Sequence, residues 1–351
     1  MYSRPTPGDT RADAGVATHR GWRQLRAAPL ATRPAARIDR APRAPRHIAT
    51  TATGDAEAAF AHDRNFLGGV CTLLAAVVLL KGAAGAVAPD QLLGRSLGVS
   101  SVGTLNAALT SMATSVCWIY AAWLVVLKEA LDHNRLGSDT YRRLALGLAV
   151  LSAALLAMVV RYRDILSTGL LSEPALLGVS SASLALIFWV SNRLYQIGSG
   201  GRGVLADAGR AAQQFVSDVA SCIRVPPNFY SEGPLPLALF IGLFAARRVP
   251  LLPGGLDYVG RYLMQASAAG TWLIGITAFT LKDAADRGRL GASTFRLLNL
   301  ALAATLAQRM WCIYSLGASG VELAQPLAKF ALAQGLFGAG VCGVAYLTAK
   351  K

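Results

Sequence analysis

One stretch of this chain occurs twice. Leu127 to Leu144 reads LKEALDHNRLGSDTYRRL, and 154 residues later Leu281 to Leu298 reads LKDAADRGRLGASTFRLL. Ten of the eighteen positions are identical, and two more keep their chemistry, Glu129 answering to Asp283 and Tyr141 to Phe295. A gapless match of this length within one chain points to a duplicated unit, and a repeat constrains the fold more than any local propensity does. Trp118 maps onto Trp272 at the same offset, and Leu146, Leu148 and Ala149 map onto Leu300, Leu302 and Ala303. The match therefore runs into the apolar segments on both sides. In each copy the stretch is a polar loop between two long apolar runs, so the chain reads as a polytopic membrane protein of two similar halves.

Eight apolar runs are expected: 66–88, interrupted by Lys81; 105–127; 144–160; 176–194; 235–252, interrupted by Arg247 and Arg248; 262–281; 297–316; and 327–347. A hydrocarbon core about 30 Å thick needs about 20 helical residues, which suits these lengths. Membrane strands are excluded, because the runs lack strict alternation and are much longer than about ten residues. The fold class is an all-α integral membrane protein of about eight transmembrane helices in two parallel four-helix repeats. The expected division is 64–196 for the first repeat, 197–232 for a linker carrying GSGGRG, and 233–351 for the second repeat. An even number of spans per half makes the repeats parallel, related by an axis along the membrane normal.

Only 15% of the residues are charged and the mean hydropathy is +0.43, against about 25% charged in soluble domains. The net charge of +15 does not point to nucleic acid. Ten Arg and three Asp within residues 1–50 supply +7, and the rest is spread over short loops rather than gathered on one face. Those first fifty residues are rich in Arg, Ala, Thr and Pro and read as an organelle transit peptide, without the apolar core of a secretory signal. Their Ala-Arg-rich composition resembles presequences of green algal chloroplast proteins. That resemblance implies a chloroplast membrane, inner envelope or thylakoid, with the mitochondrial inner membrane as the alternative. Basic residues of the short loops favour the side bearing the amino end, which puts both copies of the duplicated loop on the stromal or matrix face.

The loop residues repeated in both copies include Lys128, Asp132, Arg135, Gly137, Thr140 and Arg142, returning as Lys282, Asp286, Arg289, Gly291, Thr294 and Arg296. The bland reading is a tight helical hairpin. Lys128 and Asp132 pair at i and i+4, Gly137 caps the helix in the left-handed region, and Ser138 or Thr140 caps the next. The functional reading is a paired anion or partner contact made by Lys128, Arg135, Lys282 and Arg289, since arginine forks suit carboxylate and phosphate. Glu129, His133 and Arg135 superficially resemble the Glu-x-x-His-x-Arg helix of chlorophyll-binding light-harvesting proteins. The spacing is off by one and Arg287 replaces the second His, so pigment binding is not expected.

Within the runs, Arg309 stands beside Gln308, and charges at such depth usually face the bundle interior or a wet cavity. The plain alternative is snorkelling to the interface. Lys81 and Arg247 break the first span of each half at corresponding places, a pattern that points to a transport path or, on the plainer reading, to short spans with basic snorkelling ends. Five scattered Cys offer no redox or metal motif, and no GxSxG, P-loop or dinucleotide fingerprint stands in its proper context. No cofactor, metal or catalysis is expected. Two functions follow: a carrier or channel for a small anion using Arg309, Lys81 and Arg247, or a membrane scaffold, assembly or import factor. The expected partners are the bilayer and a homodimer or other membrane proteins.

Overall fold

The computed structural model describes residues 54–97, 103–162, 174–207 and 257–318, with short pieces at 209–210, 213, 338–340, 342–344 and 346–347. Among the described residues every regular element is helical and no strand occurs. In chain order the helices are α1 Gly54–Val87, α2 Pro89–Leu97, α3 Thr104–Thr114, α4 Cys117–Asp132, α5 Asp139–Arg161, α6 Pro174–Ser199, α7 Tyr258–Asp286 and α8 Ser293–Ala318. Three described segments are long and apolar enough to cross a membrane: Asp63–Val87, Thr104–Asp132 and Asp139–Arg161. The shortest, 23 residues, reaches about 35 Å at 1.5 Å per residue, enough for a 30 Å core.

The burial pattern agrees with a lipid solvent. On α1, Leu67, Cys71, Leu74, Ala75 and Val78 are buried, while Leu73, Val77 and Leu80 stand exposed on another face. A stripe of large aliphatics at helical spacing would be unstable in water and is at home in hydrocarbon. The buried face of α1 packs on α4, and α5 pairs with α6.

The two hairpins, α3–α5 and α7–α8, interlock. The helix α4 packs on α8 and α7 on α5, each more extensively than α4 on α5 or α7 on α8. At the centre, fully buried Trp123 donates its indole N–H to Thr277 Oγ1 at 3.1 Å. Gly147 makes room for that ring, since a Cβ there would lie 2.8 Å from Trp123 and 2.9 Å from Ile276. Close approach also needs Gly270, where a Cβ would meet Val116 Cγ1 at 2.7 Å.

Helices covering Thr104–Asp132 and Tyr258–Asp286 begin and end 154 residues apart. Their loops also turn alike. The Lys128–Asp132 and Lys282–Asp286 ion pairs form at 2.6 and 2.7 Å. The left-handed residue that ends each helix is Asn134 (φ 54°) or Gly288 (φ 66°), not the Gly137 expected from sequence. Asparagine tolerates that conformation by virtue of its short polar side chain. The closing 6→1 bonds then run from Arg135 N to Ala130 O at 2.7 Å and from Arg289 N to Ala284 O at 2.8 Å. Ser138 occupies the cap position of α5 but its side chain makes no capping bond.

Two further expectations change. The first apolar run is not broken at Lys81: α1 continues through it to Val87, and the interruption falls at Ala88, before Pro89. Pro has no N–H to continue a helix ladder and sits well at the start of the next helix. The Gly-rich segment after α6 is a tight reversal rather than a loose linker over its described part. Gly200 (φ 70°) and Gly201 (φ 94°) turn the chain back. Buried Asp207 then accepts the Tyr195 hydroxyl at 2.9 Å and lies 3.7 Å from both Arg142 and Arg202. The run at 235–252, with Arg247, lies outside the described residues, as do 1–50 and most of 327–347.

Candidate functional site

The second of the three span-length segments is not one regular helix. The α-helical ladder lapses at Ser115 and Val116, between α3 and α4. Trp118 N reaches back only three residues, to Ser115 O at 3.4 Å. Serine and threonine crowd this point: Ser111, Thr114 and Ser115 are all buried. Thr114 donates to the carbonyls of Thr110 and Ser111, and Ser115 donates to Met112 O at 2.7 Å. Such back-bonding competes with the ladder and bends helices. The first helix crosses here through Gly85, where any Cβ would collide with the Thr114 side chain.

The polar groups of the bend are met by three side chains of α8 at i, i+3 and i+4. Thr305 donates to Ser115 O at 3.1 Å as well as to its own-turn carbonyl, Ala301 O, at 2.8 Å. The Gln308 amide donates to Ser111 O at 2.9 Å, and its oxygen accepts the Trp118 indole N–H at 2.6 Å. Arg309 is buried, 5% exposed, and all three of its nitrogens are engaged. Nε donates to Ser115 Oγ at 3.0 Å, Nη1 to Thr271 Oγ1 at 3.0 Å, and Nη2 to Ser267 O at 3.1 Å. Arg309 thus ties α8 to the α3–α4 bend and to α7.

Every acceptor on Arg309 is neutral, and no carboxylate forms an ion pair with it among the described residues. Arginine does not shed its proton in proteins. A buried unit charge therefore stands in a pocket of hydroxyl and carbonyl oxygens, solvated by dipoles and balanced by no opposite charge among the described residues. The snorkelling alternative does not hold, because the side chain points into the bundle and is buried there.

The other expected residues lie elsewhere. Lys81 is exposed on α1 and makes no ion pair among the described residues. Lys128 and Lys282, which differ little in sequence context, differ in burial: their side chains are 38% and 1% exposed. Arg135 and Arg289 are exposed at the tips of the two loops. The loops themselves are adjacent, since Ser293 donates to Glu129 Oε1 at 3.2 Å and the Tyr141 hydroxyl lies 3.4 Å from Thr294 Oγ1. Arg142 joins Asp207, Arg143 stacks over Phe279 at 4.4 Å and Arg296 over Tyr346 at 5.1 Å. His133 Nδ1 is 2.8 Å from its own-helix carbonyl, Glu129 O. An open pocket near the start of α1 is lined by Asp63, Arg64, Arg193 and Gln196, with Arg193 already bonded to Asp63 at 3.3 Å.

The residues that sequence reasoning missed are Ser115, Ser267 and Thr271. Their signal was available as pairs at helical spacing inside apolar runs, Ser111/Ser115 and Ser267/Thr271, matching Thr305/Arg309 on the facing helix. Among the described residues no cluster of His, Cys, Asp and Glu could hold a metal ion. No protein-family model matches the chain, and no curated protein matches it either.

Proposed function

We propose that this chain is a carrier or channel for a small anion in an organelle membrane. It is built from two related four-helix halves, with Arg309 as the central charge of the path. The observation that carries this reading is the burial of the Arg309 guanidinium among neutral oxygens. A charge at the middle of a membrane helix costs about 3 kcal/mol even by the mildest insertion scales, so such residues are seldom mere packing. The interrupted helix beside it supports the same reading, because irregular backbone at membrane depth is tolerated where it lines a site buried in protein. Lys81, exposed on α1, would add positive potential to the region. The chloroplast placement rests on the amino-terminal composition alone.

The test is flux. Purified protein in proteoliposomes should move a labelled anion faster than protein-free vesicles, and Arg309→Met should abolish that flux while the protein remains inserted. Absence of flux from the intact protein, over halides, nitrate, carboxylates and phosphate, would overturn the proposal. A scaffold role is favoured by one separate observation: Arg135 and Arg289 project from adjacent loops without an ion partner among the described residues. Stoichiometric co-purification with other membrane proteins, lost on reversing both charges, would support that role instead.

A further inference from the structure

The donors left at Arg309 define what it can hold, and this step rests on the proposal that Arg309 is an anion site. A guanidinium carries five N–H groups. Three are spent on Ser115, Thr271 and Ser267. Two remain, one on each terminal nitrogen, without a partner among the described residues. The surrounding side chains offer little more. Ser115 donates to Met112 O, Thr271 to Ser267 O at 2.9 Å, and Thr305 to Ala301 O and Ser115 O. The Gln308 amide is committed to Ser111, and the Trp118 N–H to Gln308. These groups present lone pairs, not protons, to the interior. The Ser267 hydroxyl, on a residue 3% exposed, can add one further donor. It belongs to the residue whose carbonyl receives Arg309 Nη2.

We infer that the Arg309 site takes one weakly hydrated monovalent anion, of the halide or nitrate class, in preference to phosphate or sulfate. The complement available is one positive charge, two N–H groups and one hydroxyl. A monoanion brings the site to neutrality and needs about that many donors. A dianion leaves one negative charge uncompensated in the bundle. Its desolvation also costs roughly four times as much, because the Born term scales with the square of the charge. Phosphate recognition further calls for several converging donors or a second cation, and the donors counted above do not supply them. The lone-pair lining formed by Ser115, Thr271 and Thr305 repels anion oxygens in excess of those the guanidinium can hold.

The experiment is equilibrium binding of labelled chloride to the full-length protein in mild detergent, with competition by nitrate, phosphate and sulfate at matched ionic strength. The expected result is one saturable chloride per chain, displaced by nitrate at comparable concentration and by sulfate or phosphate only at tenfold higher concentration or more. Arg309→Met should abolish saturable binding, and Arg309→Lys, which keeps the charge but loses the fork, should weaken it about tenfold or more. If Arg309→Met does not yield monodisperse protein, the competition order on the unaltered chain still decides. Stronger competition by sulfate or phosphate would overturn the monovalent preference and leave the anion site standing. Chloride binding that survives Arg309→Met would place the ion elsewhere and overturn the assignment. If neither labelled chloride nor labelled sulfate binds, the anion site and this inference fail together. Binding without flux would remove only the carrier.

Discussion

Replacing Arg309 by Met separates a structural clamp from a functional charge, because the two readings predict opposite signs. Methionine keeps the length and most of the volume of the side chain, so little cavity opens. The substitution removes three hydrogen bonds, to Ser115 Oγ, Thr271 Oγ1 and Ser267 O. Interhelical hydrogen bonds in membrane proteins average about 0.6 kcal/mol, so their loss costs about 2 kcal/mol. It also removes a buried charge with no counter-charge among the described residues, and that relief is about 3 kcal/mol on insertion scales. The net expectation is a protein as stable as the original or about 1 kcal/mol more stable, and inactive in anion flux. The assay is SDS-induced unfolding of purified protein in mixed micelles, run beside the proteoliposome measurement. A loss of more than about 2 kcal/mol with flux retained would refute the reasoning and make Arg309 a structural pin. Stability gained together with function lost is the signature of a residue retained at a cost to the fold.

Four smaller perturbations test the packing around it. Gly270→Ala places a methyl against Val116, 2.7 Å away, and should cost about 1–3 kcal/mol by overpacking, read by the same unfolding assay. A Thr277→Val and Trp123→Phe double-mutant cycle should give a coupling of about 0.6 kcal/mol for the 3.1 Å bond between them, and a value indistinguishable from zero would disprove that contact. Lys282→Ala should destabilise more than Lys128→Ala, since the first lysine is 1% exposed and the second 38%; equal effects would contradict the difference in burial. Leu155→Arg, at the position 154 residues before Arg309, should lower expression and stability by about 3 kcal/mol, because the positions matching Ser115, Ser267 and Thr271 are Ala269, Ala113 and Cys117.

Helical architecture was legible because apolar runs of span length leave the backbone few ways to satisfy its hydrogen bonds. The pairs at i and i+4 were legible for the same local reason, and Lys128–Asp132 and Lys282–Asp286 both form. What failed was the choice between neighbours in a turn: Gly137 looked like the natural left-handed residue, yet Asn134 takes that place, three residues earlier. Cap position follows from where the helix stops packing, which the sequence of the loop does not state. The seat of Arg309 failed for another reason. Its charge within an apolar run could be read directly, but its depth left snorkelling open, and its partners are 38 to 194 residues away in sequence. Which serines and threonines face one another depends on helix rotation and crossing, and the interlocking of α4 with α8 and α7 with α5 sets both.

The charged and amide side chains of the polar cluster come from α8 alone, while Ser111, Ser115 and Trp118 of the α3–α4 segment meet them. At the 154-residue offset, Thr305, Gln308 and Arg309 answer to Leu151, Ala154 and Leu155. A requirement of packing alone would act on both hairpins alike, as it does on the loop residues Lys128, Asp132 and Arg135 and their matches. A buried charge cannot be doubled so freely. A second cation in the matching place would add another uncompensated charge to the same low-dielectric bundle, and like charges in such a medium repel strongly. The charge therefore stands on α8 alone, with Leu155 of α5 at the matching place. The α8 helix supplies the charge, and the bent α3–α4 segment of the other hairpin supplies part of its seat. On the proposal that Arg309 holds an anion, the expected stoichiometry is one anion per chain.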